Sequence, residues 1–134
     1  LQGGTIMDLK SYFENKKGTG ILATADADGN VDCAVYARPH IMADGSLAFI
    51  MRDRLSHKNL QSNPKAAYMF IEEGPGYKGR RLFLRKIKEE ENSEQIESLQ
   101  RRSYPEEHDL NAEARFLVYF QVDKELPLVG AGGK

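Results

Sequence analysis

Ser56-His57-Lys58-Asn59-Leu60-Gln61-Ser62-Asn63-Pro64 lies between two apolar runs, Leu47 to Met51 and Ala66 to Ile71. The flanking runs read as strands. The polar stretch between them reads as a short helix that closes at Asn63-Pro64, because a proline disfavours helical backbone in the residue before it. A strand opening into a helix that begins with Ser56 and carries Lys58 in its first turn suits a phosphate group. The backbone N–H groups of a helix start point outward with the positive end of the macrodipole, and Ser56 and Lys58 add a hydroxyl donor and a full charge. This stretch predicts a phosphorylated small-molecule ligand.

Upstream, Leu9, Tyr12 and Phe13 fall on one face of an amphipathic helix that starts near Asp8 and stops at Gly18. Ile21 to Ala25 and Val31 to Pro39 read as strands joined by the turn Ala27-Asp28-Gly29-Asn30, and Asp44-Gly45 starts the next hairpin into Leu47 to Arg52. Val31, Cys33, Val35 and Ala37 point one way, and Asp32, Ala34, Tyr36 and Arg38 the other. Downstream, Gly74-Pro75-Gly76-Tyr77-Lys78-Gly79 is a loop able to approach another group closely. Arg81 to Lys88 is a strand with Leu82 and Leu84 on one side, and Lys88 to Glu91 is its solvated end. Asn92 or Ser93 caps a helix carrying Ile96 and Leu99 inward, a polar stretch follows through Pro105 to Asn111, and the last strand sets Phe116, Val118, Phe120 and Val122 opposite Leu117, Tyr119 and Gln121.

A chain of 134 residues with 40% hydrophobic content suits one domain with its own core. The domain is expected over 7–124, after a segment 1–6 that is either a cloning remnant or a disordered N-terminus, and before a tail over 125–134. A formal charge of −1 supplies no global field for nucleic acid or an anionic membrane. The single Cys33, with no signal-peptide pattern and no long apolar run, favours a cytoplasmic location. His40, His57 and His108 lack metal-ligand spacing, and neither nucleotide-binding glycine motif occurs, so no metal is expected.

Hairpin turns join the first three strands, which excludes a parallel sheet, since that needs a crossover after nearly every strand. The expectation is a mainly β fold with short helices, a six-stranded antiparallel split β-barrel whose closure removes exposed edges.

The order of these parts resembles the pyridoxamine 5′-phosphate oxidase-like family of FMN-binding split barrels. The resemblance rests on the pair Gly20-Ile21-Leu22-Ala23-Thr24 and Asp28-Gly29-Asn30-Val31, then the strand Leu47 to Arg52, Ser56-His57-Lys58-Asn59-Leu60 and Asn63-Pro64. It covers roughly Met7 to Val122 and implies FMN bound at the interface of a homodimer. It also implies the FMN phosphate near Ser56, His57 and Lys58 with Arg52 in reach, and the ribityl chain and ring along Asp32, Cys33, Ala34 and Val35. Phe49, Ile50 and Met51 would run along the isoalloxazine edge, and Tyr77 and Lys78 would cover the ring from the partner subunit. The apolar slot, the donors and the cations are what a flavin requires.

The same residues admit plainer roles. Ser56 can be a helix cap, Lys58 a solvated charge, Arg52 a strand end, and Tyr77 and Lys78 loop residues; Phe49 and Met51 serve a core in either case. His57 would touch phosphate only through its backbone N–H, and Cys33 is expected as a small buried hydrophobe rather than a nucleophile. The chain offers no equivalent of the arginine- and histidine-bearing C-terminal segment of true pyridoxamine phosphate oxidases, so that activity is not expected. The implied function is a flavoprotein moving electrons or hydride between a reductant and a small-molecule redox substrate, with catalytic side chains unassigned. The alternatives are a non-catalytic flavin carrier or sensor, and a barrel that binds haem or a deazaflavin.

Overall fold

A computed structural model describes residues 6–103 and 114–130. The chain runs α1 (Ile6–Asn15), β1 (Gly18–Ala25), β2 (Val31–Val35), β3 (His40–Ile41), β4 (Leu47–Arg52), α2 (Leu55–Ser62), β5 (Lys65–Glu72), β6 (Gly79–Glu91), α3 (Glu94–Ser103) and β7 (Arg115–Pro127). The strands form one antiparallel sheet in the order β2-β1-β5-β6-β7-β4-β3. The sheet has seven strands rather than six, and it is open, with β2 and β3 as its edges.

The extra strand comes from a break in the expected run Val31 to Pro39. Pro39 has no N–H to give a ladder, and the carbonyls of Tyr36 and Ala37 accept from the Tyr68 hydroxyl at 3.3 and 3.0 Å. The chain therefore leaves β1 after Val35 and re-pairs as β3 on the other edge. Gly20 makes this crossing possible, because a side chain there would collide with the Tyr68 hydroxyl and the Tyr36 carbonyl.

The first hairpin is ordered by a residue outside its Asp-Gly pair. Asp26 Oδ1 accepts from the backbone N–H groups of Asp28 and Asn30 at 3.0 and 2.9 Å, while Gly29 takes the positive φ of 87°. Hydrogen bonds from Asn30 come first among the causes that hold the Asp26 carboxyl below its usual range.

The main core forms on one face of the sheet. Leu47, Phe49 and Met51 of β4 face Phe116, Val118 and Phe120 of β7, and α1 inserts Leu9, Tyr12 and Phe13 against Tyr68 and Phe70. The Phe13 and Phe70 rings meet edge to face at 5.4 Å. Each such buried apolar side chain contributes about 1.5–3 kcal/mol relative to exposure. The other face of β4 and β7 carries Ala48, Leu117 and Tyr119, which pack with Ile96 and Leu99 of α3. The alternation expected for the last strand is therefore present, with both faces buried. Ser93 caps α3 by accepting from the Gln95 N–H at 3.1 Å.

Two boundaries differ from the sequence reading. Strand β7 runs to Pro127, paired through Arg80↔Pro127, so 125–127 is sheet rather than tail. Helix α2 starts at Leu55 with Arg54 as its cap residue, which makes no side-chain capping bond; Ser56 is thus the second helical residue and not the cap. The stretch Pro105 to Asn111, His108, the segment 1–5 and the tail 131–134 lie outside the described residues. Among the described residues no helix is long and apolar enough to cross a membrane.

Helix α2 is fixed from three directions. Leu60 enters the core, and the Asn59 amide donates to Thr24 Oγ1 at 3.0 Å in a fully buried pair. The buried His57 ring lies flat on Phe116, with centroids 3.9 Å apart. Its Nδ1 is 3.0 Å from Asp53 Oδ1, and its Nε2 is 3.1 Å from Glu89 Oε2. Glu89, in the stretch read as a solvated strand end, instead ties β6 to α2, because the bulge between Lys86 and Lys88 turns it toward the helix.

Burial acts to raise the Glu89 carboxyl, but hydrogen bonds from Lys86, Gln61 and His57, with the His57 charge, outweigh it and lower it from 4.5 to about 2. A carboxylate held down in the folded state stabilises it above its unfolded value, and that contribution fades as pH falls from 4.5 toward about 2. Glu89→Gln is expected to flatten the acid limb of stability in this window. Chemical denaturation at a series of pH values measures it, and an unaltered acid limb refutes the assignment.

Candidate functional site

A cleft of about 340 Å³ opens where β2, β4 and the start of α2 converge. Period-2 alternation along β2 turns Asp32, Ala34 and Tyr36 toward it, with Val35 at its margin. Strand β4 supplies Ile50 and Arg52, and Arg54, Leu55 and Ser56 form the remaining wall. Its chemistry is divided. Ala34, Val35, Ile50 and Leu55 are apolar, whereas two guanidinium groups, two hydroxyls and one carboxylate gather near the helix start.

The first N–H groups of α2, those of Leu55, Ser56 and His57, have no acceptor one turn back; the first intrahelical bond runs from Lys58 N–H to the Arg54 carbonyl at 2.9 Å. Together with the macrodipole they favour an anion at this end. The Ser56 hydroxyl donates to Asp32 Oδ2 at 3.5 Å. Burial raises the Tyr36 phenol above its ordinary value, opposed by a hydrogen bond with Ser56 and reinforced by the charge of Asp32. Tyr36, Ser56 and Asp32 are thus one linked polar group.

The residues singled out from sequence separate into distinct places. Asp32, Ala34, Val35, Ile50, Arg52 and Ser56 meet in this cleft. Phe49 and Met51 do not: they are buried in the core, where Phe49 packs against Tyr36, Tyr68 and Phe120. His57 turns its ring away, into the carboxylate clamp, leaving only its backbone N–H on the cleft side. Lys58 is exposed and lies outside the cleft lining.

Cys33 corrects an expectation of burial. It is exposed, between Val31 and Val35, which are 82% and 76% exposed. The reason is the position of β2 at the sheet edge: the side of the strand facing the protein carries Asp32, Ala34 and Tyr36, so its more apolar side faces outward. Tyr77 and Lys78 are exposed in the β5–β6 turn, closed by the Glu72 N–H donating to the Lys78 carbonyl at 2.9 Å. That turn is at the far end of β5 from α2, so within one chain these two residues do not reach the cleft.

Tyr36, Arg54 and Leu55 line the cleft and were not singled out from sequence. Alternation already placed Tyr36 beside Asp32 and Ala34, and this was the available signal. Arg54 and Leu55 carried none once the helix start was set at Ser56.

A larger hollow of about 640 Å³ lies between α1, the segment 37–43 and Leu99 of α3. Arg38 there donates to the carbonyls of Phe13 and Lys16, at 2.9 and 2.7 Å, at the negative end of α1. Among the described residues no cluster of three or more His, Cys, Asp or Glu forms a metal site.

No family model and no curated protein sequence matches the chain. Solved structures do. An FMN-binding protein from Syntrophomonas wolfei superposes with a TM-score of 0.71 at 17% identity, over 93% of this chain and 86% of that one. HutZ, the haem storage protein from Vibrio cholerae, gives 0.70 at 19% identity, over 90% and 92%. An F420 reductase gives 0.70 at 15% identity, over 93% and 98%. Structures carrying the pyridoxamine 5′-phosphate oxidase name are among the other matches. Identities this low speak for shared architecture, and on that ground the chain has the split-barrel fold of the pyridoxamine 5′-phosphate oxidase-like proteins.

Proposed function

We propose that this chain is an FMN-binding flavoprotein that works as a homodimer and passes electrons or hydride between a reductant and a small-molecule acceptor. The observation that carries the reading is the cleft itself: a helix start with outward N–H groups, joined by Arg52, Arg54 and Ser56, beside an apolar wall of Ala34, Val35 and Ile50. These residues fit the group. The helix start and the two arginines would hold a phosphate, and the apolar wall would receive a flat ring. When bound, the flavin would supply the redox chemistry, so the chain need only bind and orient it and limit water around it. Tyr36 and Ser56 would donate to oxygen atoms of the bound molecule.

The shape of the site supports the dimer. A volume of about 340 Å³ is at the low end for a cleft that buries a whole ligand, and one side stands open. Beside it runs an edge strand with Val31, Cys33 and Val35 exposed. Apolar residues concentrated on an open edge mark a surface that a partner covers. A second copy would supply the missing wall, and its Tyr77 and Lys78 are the residues free of any role within their own chain's cleft. Fold neighbours that bind haem or act on a deazaflavin make these the competing cofactors.

Absorption spectra of the freshly purified protein, and of protein titrated with FMN, test the cofactor. A bound flavin is expected; a haem spectrum, or no uptake of FMN, overturns the reading. Arg52→Ala is expected to weaken FMN by about 1–3 kcal/mol, the scale of a charge-assisted hydrogen bond, and Lys58→Ala by clearly less. Fluorescence titration measures both, and the reverse order would move the phosphate away from the cleft. The paired change Val31→Glu and Val35→Glu is expected to give a monomer in sedimentation, whereas an unaltered dimer would place the interface elsewhere.

A further inference from the structure

Asp32 is the one carboxylate among the residues lining the cleft, and it reaches the side chain of Ser56 at the helix start. Its Oδ2 is 3.5 Å from the Ser56 hydroxyl, in the first turn of α2. That turn contains no acidic residue of its own, and the cap residue Arg54 makes no side-chain bond to it. An N-terminal turn of this kind is ordinarily served by a capping oxygen or an acidic side chain close in sequence. The nearby Asp53 carboxylate is taken up by the His57 ring and lies outside the cleft lining, whereas β2 turns Asp32 into the cleft on the same side as Ala34 and Tyr36. The arginines and the helix start thus face an internal anion before any ligand arrives.

We propose that Asp32 sets the ligand selectivity of this cleft: its carboxylate occupies the anion position and penalises a phosphorylated flavin relative to an unphosphorylated one. The inference rests on the flavin reading and deepens it. A phosphate monoester carries close to two negative charges at neutral pH, and riboflavin, which shares the ring and ribityl chain, carries none. Binding the phosphate requires Asp32 to swing away from Ser56 or to remain as a like charge beside it. Like charges held close together, at the effective dielectric constant of about 20 typical near a protein surface, cost about tenfold or more in affinity per unit charge. Riboflavin escapes this cost. The chain therefore discriminates between the two flavins less than its two arginines and helix start alone would dictate.

The test is the dissociation constant for FMN and for riboflavin, by flavin fluorescence, in the native protein, Asp32→Asn and Asp32→Glu. Asp32→Asn is expected to tighten FMN about tenfold or more while changing riboflavin less than twofold. Asp32→Glu keeps the charge and is expected to keep the native selectivity, which separates an electrostatic effect from one of folding. FMN bound equally well or more weakly by Asp32→Asn, or both flavins tightened alike, overturns the inference and leaves the flavin reading standing. Failure of all three proteins to bind either flavin overturns the flavin reading and this inference with it.

Discussion

The seat of α2 is the constraint on which the rest of the site depends. An eight-residue helix is marginal by itself, and this one is held by tertiary contacts rather than by propensity. Leu60 is sunk in the core, Asn59 is bonded to Thr24 of β1, and His57 is stacked on Phe116 between Asp53 and Glu89. These contacts reach β1, β6 and β7, so the helix start cannot shift relative to the sheet without breaking several of them together. The cleft inherits its rigidity from this arrangement, because Ser56 and His57 are neighbours on the same turn: one faces the cleft, the other is locked into the clamp.

A second constraint is the asymmetry of the open sheet. The segment from Tyr36 to Pro39 carries the chain from one edge to the other, pinned by the Tyr68 hydroxyl over Gly20. Edge strand β2 consequently has an inner side that serves the cleft and an outer side with Val31, Cys33 and Val35 uncovered. The half-walled cleft and the apolar edge adjoin one another. A single partner surface would complete both, which is why cofactor binding and dimerisation belong to one proposal.

Electrostatically the cleft opposes itself. The helix start, Arg52 and Arg54 draw negative charge, while Asp32 already supplies some. With Asp32 in the proposed role, such a site would tune affinity downward where a purely cationic one would hold a dianion tightly.

The sequence by itself determined the local elements and their faces. Tyr12 and Phe13, Leu82 and Leu84, and the two sides of β7 stand where periodicity placed them, because side-chain direction in a helix or strand follows from local geometry. It also brought Asp32, Ala34, Val35, Ile50, Arg52 and Ser56 into consideration together, through family resemblance as much as through pattern. Tertiary structure decided what pattern cannot express. Alternation divides β2 into two sides but does not say which is buried; its edge position turned Cys33 outward. Apolar runs mark Phe49 and Met51 equally for a core or a ring, and packing against β7 and Tyr68 assigned them to the core. The carboxylates that hold His57 come from Asp53, four residues earlier, and Glu89, thirty-two residues later, and the second is invisible until a bulge in β6 brings it to the helix. Contacts across such separations depend on strand order and register, which are properties of the assembled sheet.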